Sequence, residues 1–509
     1  MTVPETAAAD QAGFPILSLL VFLPMIGGLI LLLLPAGLAR RAAIVLATLE
    51  LGLSVLLVLL FRPEVPGMQL AERVAWVPSA GIGYHVGVDG ISVLFIPIVC
   101  LLTLAVLLSA SSALQAMTTL ALSALLVLEA TIVGVFVAVD LALFFIFWEA
   151  MLVPTYLLIR LSGIGRERQE VAARYVMYML VGSAPLLIGI VLLGINHQQV
   201  TGGSAGGRYS FDVIDLLAVP VSMDLQLVVL GLFAFAFAVK GPLVPFHSWL
   251  PSTLLHGPAG LGVFLLGFKV GLYGFLRVGL PLVPDAAREF AWALAAVGLL
   301  GLLYGALIAI AQTNIRRMLA FAGISHVGLA ALGISAMSAQ GVQGALLLMV
   351  NLGLATTGLL LVSGFLYARM GTTDAGGLGT GLARSVPRLA IVCFILGLAS
   401  IGVPGTSGFP GELLIMLGAF RAHGALGLMA VVGVVLSAMA FLAMFERTFL
   451  GPERRTVPPL PDLRPRELAV GVVLSVAVLL VGIFPGPLLD RTELAVDAFV
   501  QRINEGAVP

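Results

Sequence analysis

Two lysines stand out because they are the only ones in a chain of 509 residues. Lys240 and Lys269 both lie inside apolar segments, in the stretch LGLFAFAFAVKGPLVPFHSWLPSTLLHGPAGLGVFLLGFKVGLYGFLR. A lysine can lose its proton when it is buried, whereas an arginine effectively cannot. Of the 26 basic residues the other 24 are arginines, and most lie between the apolar segments or at their ends. This placement favours a role for the two lysines as titratable groups inside a membrane.

Three glutamates and one histidine occupy similar apolar surroundings. Glu129 lies in LLVLEATIVG, Glu149 in LALFFIFWEAMLVPTYLLI, His326 in FAGISHVGLAALG and Glu412 in VPGTSGFPGE. Carboxylates, imidazoles and amines in one membrane layer can pass protons, because the charge state of each group tunes its neighbour. The alternative is structural, with each glutamate in a fixed ion pair and the histidine in a hydrogen bond.

Four further polar residues have weaker claims to a role. Glu50 is alone in its apolar segment, and we expect it to be structural or to face lipid. Asp140 stands at a segment edge, where we expect an exposed helix cap. His247 and His256 flank a Pro-rich break, where they could relay protons or line a water path.

The composition indicates a polytopic membrane protein. Hydrophobic residues make up 60% of the chain and the mean hydropathy is +1.12, whereas a soluble domain is about 45–50% apolar. The net charge is zero without a basic tract, which argues against nucleic acid as a partner. The two cysteines, Cys100 and Cys393, sit singly in apolar segments, so they predict neither a cysteine-ligated cluster nor a disulfide framework. We also find no Gly-rich nucleotide fingerprint.

Fourteen apolar segments are long enough to cross a bilayer as helices. They span about 14–35, 42–61, 91–110, 115–137, 139–160, 171–194, 221–241, 259–281, 289–312, 318–337, 342–367, 386–416, 424–446 and 467–486. We expect breaks in helix twelve, which contains VPGTSGFPGE, and at the end of helix seven, where the Pro-rich run LVPFHSWLP follows Lys240. Broken backbone at membrane depth is tolerated only where protein buries it or where it lines a water-filled cavity.

The arginines predict the orientation of the chain. Sixteen of them lie in the connections that follow odd-numbered helices, and eight lie on the other side. Because cytoplasmic loops carry the excess of basic residues, we expect a multi-pass protein of the inner (plasma) membrane with both termini on the non-cytoplasmic side.

Breaks at matching positions of two halves are typical of inverted-repeat transporters. Glu149 and Lys240 lie 91 residues apart, and His326 and Glu412 lie 86 apart. We therefore expect two inverted five-helix repeats within an all-α fold. The expected units are helices 1–3 (1–110), the first repeat with helices 4–8 (115–281), the second repeat with helices 9–13 (289–450), and a C-terminal loop with helix 14 (451–509).

Several motifs together resemble one family. FFIFWEAMLVPTYLLI, VKGPLVPFHSWLP, YGALIAIAQTNIRRMLAFAGISHVGLAALG and LASIGVPGTSGFPGELLIMLGAF are similar to the antiporter-like membrane subunits of respiratory complex I, the NADH-quinone oxidoreductase. The resemblance covers roughly residues 88–450. Glu412 favours the M-type subunit, because the sister subunits usually carry lysine at that position. The run HSWLPSTLLHGPAG after helix seven departs from the family pattern, since its acidic and threonine positions are absent.

The resemblance implies proton translocation driven by quinone reduction elsewhere in the complex. It assigns key roles to Glu149, Lys240, Lys269 and Glu412 and accessory roles to the residues at 129 and 326. It also implies that FMN, iron–sulfur clusters and quinone are bound by partner subunits and not by this chain. The expected partners are the sister antiporter-like subunits and the lipid bilayer. Two alternatives are a subunit of an Mrp-type sodium/proton antiporter and a subunit of a membrane-bound hydrogenase complex.

Overall fold

Long apolar runs become helices because a backbone in hydrocarbon must satisfy its own hydrogen bonds. The computed structural model describes residues 4–113, 118–202, 208–267, 269–378, 380–452 and 460–506, and most of these are helical. The first helices are α1 (Ala8–Gln11), α2 (Ile16–Leu31), α3 (Ala36–Leu60), α4 (Phe95–Leu108), α5 (Ala110–Ala113), α6 (Thr119–Val137), α7 (Leu141–Ala150), α8 (Leu152–Ser162), α9 (Arg168–Gly202), α10 (Val213–Leu217), α11 (Met223–Lys240), α12 (Trp249–His256) and α13 (Ala259–Gly267).

The second half of the chain continues in the same way. Its helices are α14 (Val270–Gly274), α15 (Pro284–Glu289), α16 (Ala291–Ile310), α17 (Ile315–Ser335), α18 (Ala339–Asn351), α19 (Thr357–Met370), α20 (Ala375–Leu378), α21 (Leu382–Ser385), α22 (Pro387–Ser400), α23 (Gly408–His423), α24 (Ala425–Phe449), α25 (Pro465–Ile483) and α26 (Gly486–Glu505). Two π-helical turns, Phe275–Gly279 and Leu352–Thr356, extend α14 and join α18 to α19.

The helical, polytopic class predicted from the sequence is confirmed. Within the described residues, eleven helical segments have the length and composition needed to cross a membrane, and α2, α4 and α22 are shorter apolar helices. Each predicted apolar segment coincides with one of these. The exact number of crossings and the inverted repeats stay predictions.

Helices seven and twelve are broken, as their prolines and glycines predict. The seventh ends as α11 at Lys240, and residues 241–248 form turns before α12 begins. The twelfth ends as α22 at Ser400 and resumes as α23 after residues 401–407. In each case the non-helical turn is short and lies beside one of the candidate titratable side chains.

A small sheet caps one end of the helices. Its strands are β1 (Glu5–Ala7), β2 (Met68–Val77) and β3 (Ile82–Val88); β1 pairs with β2 in parallel, and β2 pairs with β3 as an antiparallel hairpin. This hairpin occupies the polar stretch between the second and third long helices, α3 and α4.

A buried His85–Asp212 pair, with the exposed Arg73 beside it, joins this sheet to the neighbouring loops. His85 Nδ1 lies 2.6 Å from Asp212 Oδ2, and an Arg73 nitrogen lies 3.0 Å from the same oxygen. Burial raises the pKa of the Asp212 carboxyl, but the hydrogen bond and charge of His85, assisted by Arg73, outweigh it and lower that pKa overall. Asp140 caps α7 through the N–H groups of Ala142 and Leu143, but it is buried and not exposed as expected.

An ion pair ties the last apolar helix to the rest of the bundle. Arg369 lies 2.5 Å from Glu467, and both side chains are almost fully buried. Ser112 donates to the same carboxylate at 2.5 Å, and Arg369 also donates to the carbonyl oxygens of Pro461 and Asp462. The pair therefore joins α5, α19 and the start of α25.

We expect Glu467→Gln to lower the free energy of unfolding by about 3–5 kcal/mol, because it leaves a buried guanidinium without its counter-charge. Glu170→Gln is the matched control, since the Arg174–Glu170 pair is equally close, at 2.8 Å, but exposed and worth about 0.5 kcal/mol or less. The buried thiols of Cys100 and Cys393 can report thermal unfolding through their reaction with a thiol-specific dye. Equal melting temperatures for the two variants would contradict a stabilising role for the buried Arg369–Glu467 pair.

Candidate functional site

Lys240 is the last residue of α11, where the seventh helix breaks. Its ammonium group donates to the carbonyl oxygen of Trp148 at 2.8 Å and lies 4.6 Å from the centre of the Trp148 ring. Carbonyl oxygens, aromatic faces and the C-terminal end of a helix all favour a positive charge. The break therefore places Lys240 where its protonated form has partners.

Glu149 follows Trp148 at the junction between α7 and α8, and it is half-buried. Its charge acts on both Lys240 and Tyr175. Among the described residues, however, no ion pair of 4.0 Å or less joins Glu149 to Lys240. The two groups are neighbours, as expected, but the direct contact of the lysine is with the backbone of the preceding residue.

Lys269 lies at a break that the sequence did not predict. The segment 259–281 was expected to be one continuous helix, but α13 ends at Gly267 and α14 begins at Val270. Lys269 has the non-helical angles φ −84° and ψ 62°, and it is 2% exposed. Its ammonium nitrogen has no hydrogen-bond partner in the described part of the chain. Such a site suits a side chain that can exist with or without its proton.

His326 bridges two helices. Its Nδ1 lies 2.7 Å from the carbonyl oxygen of Ala322, and its Nε2 lies 2.8 Å from that of Ser400 at the end of α22. Carbonyl oxygens only accept, so both nitrogens can donate at once only in the doubly protonated imidazolium. Glu412 Oε1 stands 4.0 Å from Nε2 and can supply the counter-charge. Because the two groups are this close, the charge of each one influences the protonation of the other.

The carboxylate of Glu412 rests against Gly402 in the break of the twelfth helix. Gly402 has a φ of +66°, and a Cβ built on it would overlap the Glu412 carboxylate. Glycine is therefore required at this position both for the backbone angle and for the close approach. The sequence indicated the break, but it gave no signal that Gly402 holds Glu412 in place.

Glu129 belongs to a separate buried group. Both of its carboxylate oxygens are buried without a hydrogen-bond partner among the described residues, and its neighbours include Cys100 and Thr103. Glu50 on α3 is 0% exposed and interacts electrostatically with Glu129. The expectation that Glu50 faces lipid is therefore wrong, because α3 turns this residue towards α4 and α6.

The two histidines near the seventh-helix break lie in different surroundings. His247 packs against the rings of Tyr304 and Phe321, with centroid distances of 5.0 and 6.3 Å. His256 lies 3.2 Å from Glu167, whose side chain is exposed. His256 is thus at the surface end of α12, whereas His247 is among aromatic side chains.

Apart from Glu129, the predicted site residues lie in two groups along the protein. One group contains Lys240 and Glu149 around the Trp148 carbonyl. The other contains His326 and Glu412, and Lys269 acts electrostatically on this histidine. Helix α17, which carries His326, is buried along its length. Such an arrangement can hold and exchange protons inside a bilayer.

We expect Gly402→Ala to lower the free energy of unfolding by about 1–3 kcal/mol more than Gly405→Ala, because only the first forces a methyl group into the carboxylate. The control is closely matched, since Gly405 also has a positive φ, +88°, but no atom lies within 4 Å of a Cβ built there. Thermal unfolding of both purified variants measures the difference. Identical shifts in melting temperature would show that Gly402 does not position Glu412.

Comparison with known proteins identifies the family of this chain. Residues 138–437 match the family described as NADH:quinone oxidoreductase/Mrp antiporter, transmembrane. The NADH-quinone oxidoreductase subunit M of Mycobacterium tuberculosis is 32% identical, with 96% of this chain and 95% of that protein covered.

Two solved structures share the fold. A chain of respiratory complex I from Thermus thermophilus with bound NADH is 35% identical with a TM-score of 0.86, covering 96% of this chain and 99% of its own. A chain of the Mrp complex from Dietzia is 22% identical with a TM-score of 0.83, covering 96% and 100%, which establishes a common fold alone. The chain belongs to the NADH:quinone oxidoreductase/Mrp antiporter transmembrane family, among the relatives of NADH-quinone oxidoreductase subunit M.

Proposed function

We propose that this chain is a proton-translocating subunit in the membrane arm of an NADH-quinone oxidoreductase. The observation that carries the proposal is the pair of lysines at helix breaks, one held by a carbonyl oxygen and one without a hydrogen-bond partner among the described residues. Unlike arginine, lysine can exchange its proton, and this chain has only these two lysines.

The proposed path runs from one group to the other. Glu149 favours the protonated form of Lys240, and a change in a neighbouring subunit weakens that influence. Lys240 then passes its proton by way of Lys269 and His326 to Glu412. Glu412 releases the proton on the non-cytoplasmic side, where both termini lie in the proposed orientation. Glu129 acts as an accessory group.

Two half-channels follow from the proposed repeats. Residues 115–281 form the first, with Glu149 and the two lysines. Residues 289–450 form the second, with His326 and Glu412. Residues 1–110 and 451–509 flank them.

The energy for uphill transfer comes from outside this chain. Moving one elementary charge across 100 mV costs about 2.3 kcal/mol. In the proposed complex, FMN, iron–sulfur clusters and quinone reside in partner subunits. Quinone reduction there drives the change in the neighbouring subunit that weakens the influence of Glu149 on Lys240. The sister antiporter-like subunits are the immediate partners in the inner membrane.

We expect mild-detergent purification of the tagged chain to recover flavin and iron–sulfur subunits together with NADH-quinone activity. Mass spectrometry of the co-purified proteins and their absorption spectrum provide the measurement. Recovery with small membrane subunits alone, and without a redox cofactor, would favour the Mrp-type antiporter instead. Recovery with a hydrogenase catalytic subunit would favour the membrane-bound hydrogenase.

We expect Lys240→Arg to lower proton pumping about a hundredfold or more, the range of a lost proton-transfer group. Arginine keeps the positive charge and the ability to bond the Trp148 carbonyl, but it cannot release its proton. Pumping is measured in inverted membrane vesicles by dye quenching during NADH oxidation. Arg174→Lys is the control, because it makes the reverse exchange at an exposed residue. An assembled Lys240→Arg complex that pumps normally would refute the mechanism.

A further inference from the structure

A small cavity lies directly against Lys240. Its volume is about 30 Å³, and it is lined by residues of α6, α8, α9, α11, α12, α13 and α14. A space larger than about 10–15 Å³ with polar partners can hold a water molecule. The polar side chains on its wall are those of Thr155, Tyr175, Trp249 and Lys240 itself. The cavity therefore has room for one or two waters beside the amine.

Thr155 provides an independent sign that this space is polar. Its hydroxyl is buried and has no hydrogen-bond partner within the part of the chain that the structure describes. Other buried helical threonines, Thr103 and Thr253, donate to the carbonyl oxygen four residues earlier, at 3.1 and 2.7 Å. A buried hydroxyl without a partner is unfavourable. The Thr155 hydroxyl is thus left available to a group inside the cavity.

Tyr175 brings a second hydroxyl to the same wall. The residue is 2% exposed, and its ring packs on Trp249 with a centroid distance of 5.5 Å. Its side chain lines the same cavity as Thr155 and is influenced by the charge of Glu149. A water molecule needs two to four polar partners, and two hydroxyls and the lysine amine provide three.

Helix α12 runs from this cavity to a polar surface. Trp249, Thr253 and His256 follow one face at helical spacing, and the hydroxyls of Ser252 and Thr253 both donate to the Trp249 carbonyl. At the outer end, His256 contacts Glu167 in the loop 163–167, which carries arginine and belongs to the proposed cytoplasmic side.

We propose that Thr155 and Tyr175 are positioning residues that orient a water molecule beside Lys240 in this cavity, the lysine pocket formed by Thr155, Tyr175, Trp249 and Lys240. The inference rests on the proposed function. In the delivery step, an O–H bond of the protonated pocket water breaks and a new N–H bond forms on the neutral amine of Lys240. The water is reprotonated from the cytoplasmic side along α12, and no redox partner is needed.

The test removes the hydroxyls while keeping the side-chain volumes nearly unchanged. We expect the double variant Thr155→Val/Tyr175→Phe in the assembled complex to pump about tenfold more slowly, equivalent to about 1.4 kcal/mol at the barrier. The solvent deuterium isotope effect on pumping should rise, because proton delivery becomes limiting. The variant Thr155→Ser/Tyr175→Phe keeps a hydroxyl at residue 155. It should pump at a rate close to that of the unchanged complex.

Tyr178→Phe is the matched control. It removes a hydroxyl from the same helix, but this hydroxyl bonds Ser248 at 2.6 Å and does not line the pocket. A double variant that matches this control in rate and isotope effect would overturn the inference. So would a slow variant with an unchanged isotope effect and no rescue by Thr155→Ser, because that result indicates a structural role.

The two proposals fail in different ways. If Lys240→Arg pumps normally, the proposed function itself is wrong. If Lys240→Arg does not pump and the hydroxyl variants match Tyr178→Phe in pumping rate and isotope effect, only the inference about the lysine pocket is wrong.

Discussion

The cost of placing a charge in hydrocarbon governs this structure. A helix that crosses the bilayer without interruption uses up its own backbone hydrogen-bonding groups and offers little to a buried ammonium or carboxylate. The breaks change this. At the end of α11 an ammonium meets the carbonyl oxygen of Trp148, and at the end of α22 the carbonyl oxygen of Ser400 meets an imidazole. Each interruption thus supplies polar backbone at membrane depth.

The two groups of titratable residues differ in how they are held. Lys240 has a carbonyl oxygen and an aromatic ring as partners, whereas the Lys269 nitrogen has no hydrogen-bond partner in the described residues. His326 has acceptors on both ring nitrogens and a carboxylate at 4.0 Å. Lys240 and His326 therefore each have acceptors for a proton, whereas the Lys269 nitrogen has none among the described residues.

Composition and apolar runs were sufficient to predict the helical class, and prolines and glycines located the breaks of helices seven and twelve. The break at Lys269 was missed, because the local sequence GFKVG contains no proline and only packing against other helices reveals it. The burial of Glu50 was missed for a related reason, since a single helix does not show which face meets protein and which meets lipid. The amphipathic helix α26 was also missed, because its polar composition carries no membrane signal.

The candidate residues themselves could be chosen from their types and surroundings, but their contacts could not. The sequence placed Glu149 near Lys240, yet the atom that accepts from the lysine belongs to the backbone of Trp148. Likewise, the role of Gly402 beside Glu412 depends on a φ of +66° and on a fold across the break. Backbone acceptors and glycine contacts have no signature in composition, so sequence analysis identifies the titratable groups better than their environment.

The scarcity of lysine also has a spectroscopic consequence. Because Lys240 and Lys269 are the only two lysines, lysine labelled with nitrogen-15 at the side chain would place two magnetic resonance signals from this subunit inside the membrane. The ring of Trp148, 4.6 Å from one of the two nitrogens, would separate these signals by its local magnetic field. The chain thus carries its own pair of distinguishable reporters, one at each lysine-bearing break.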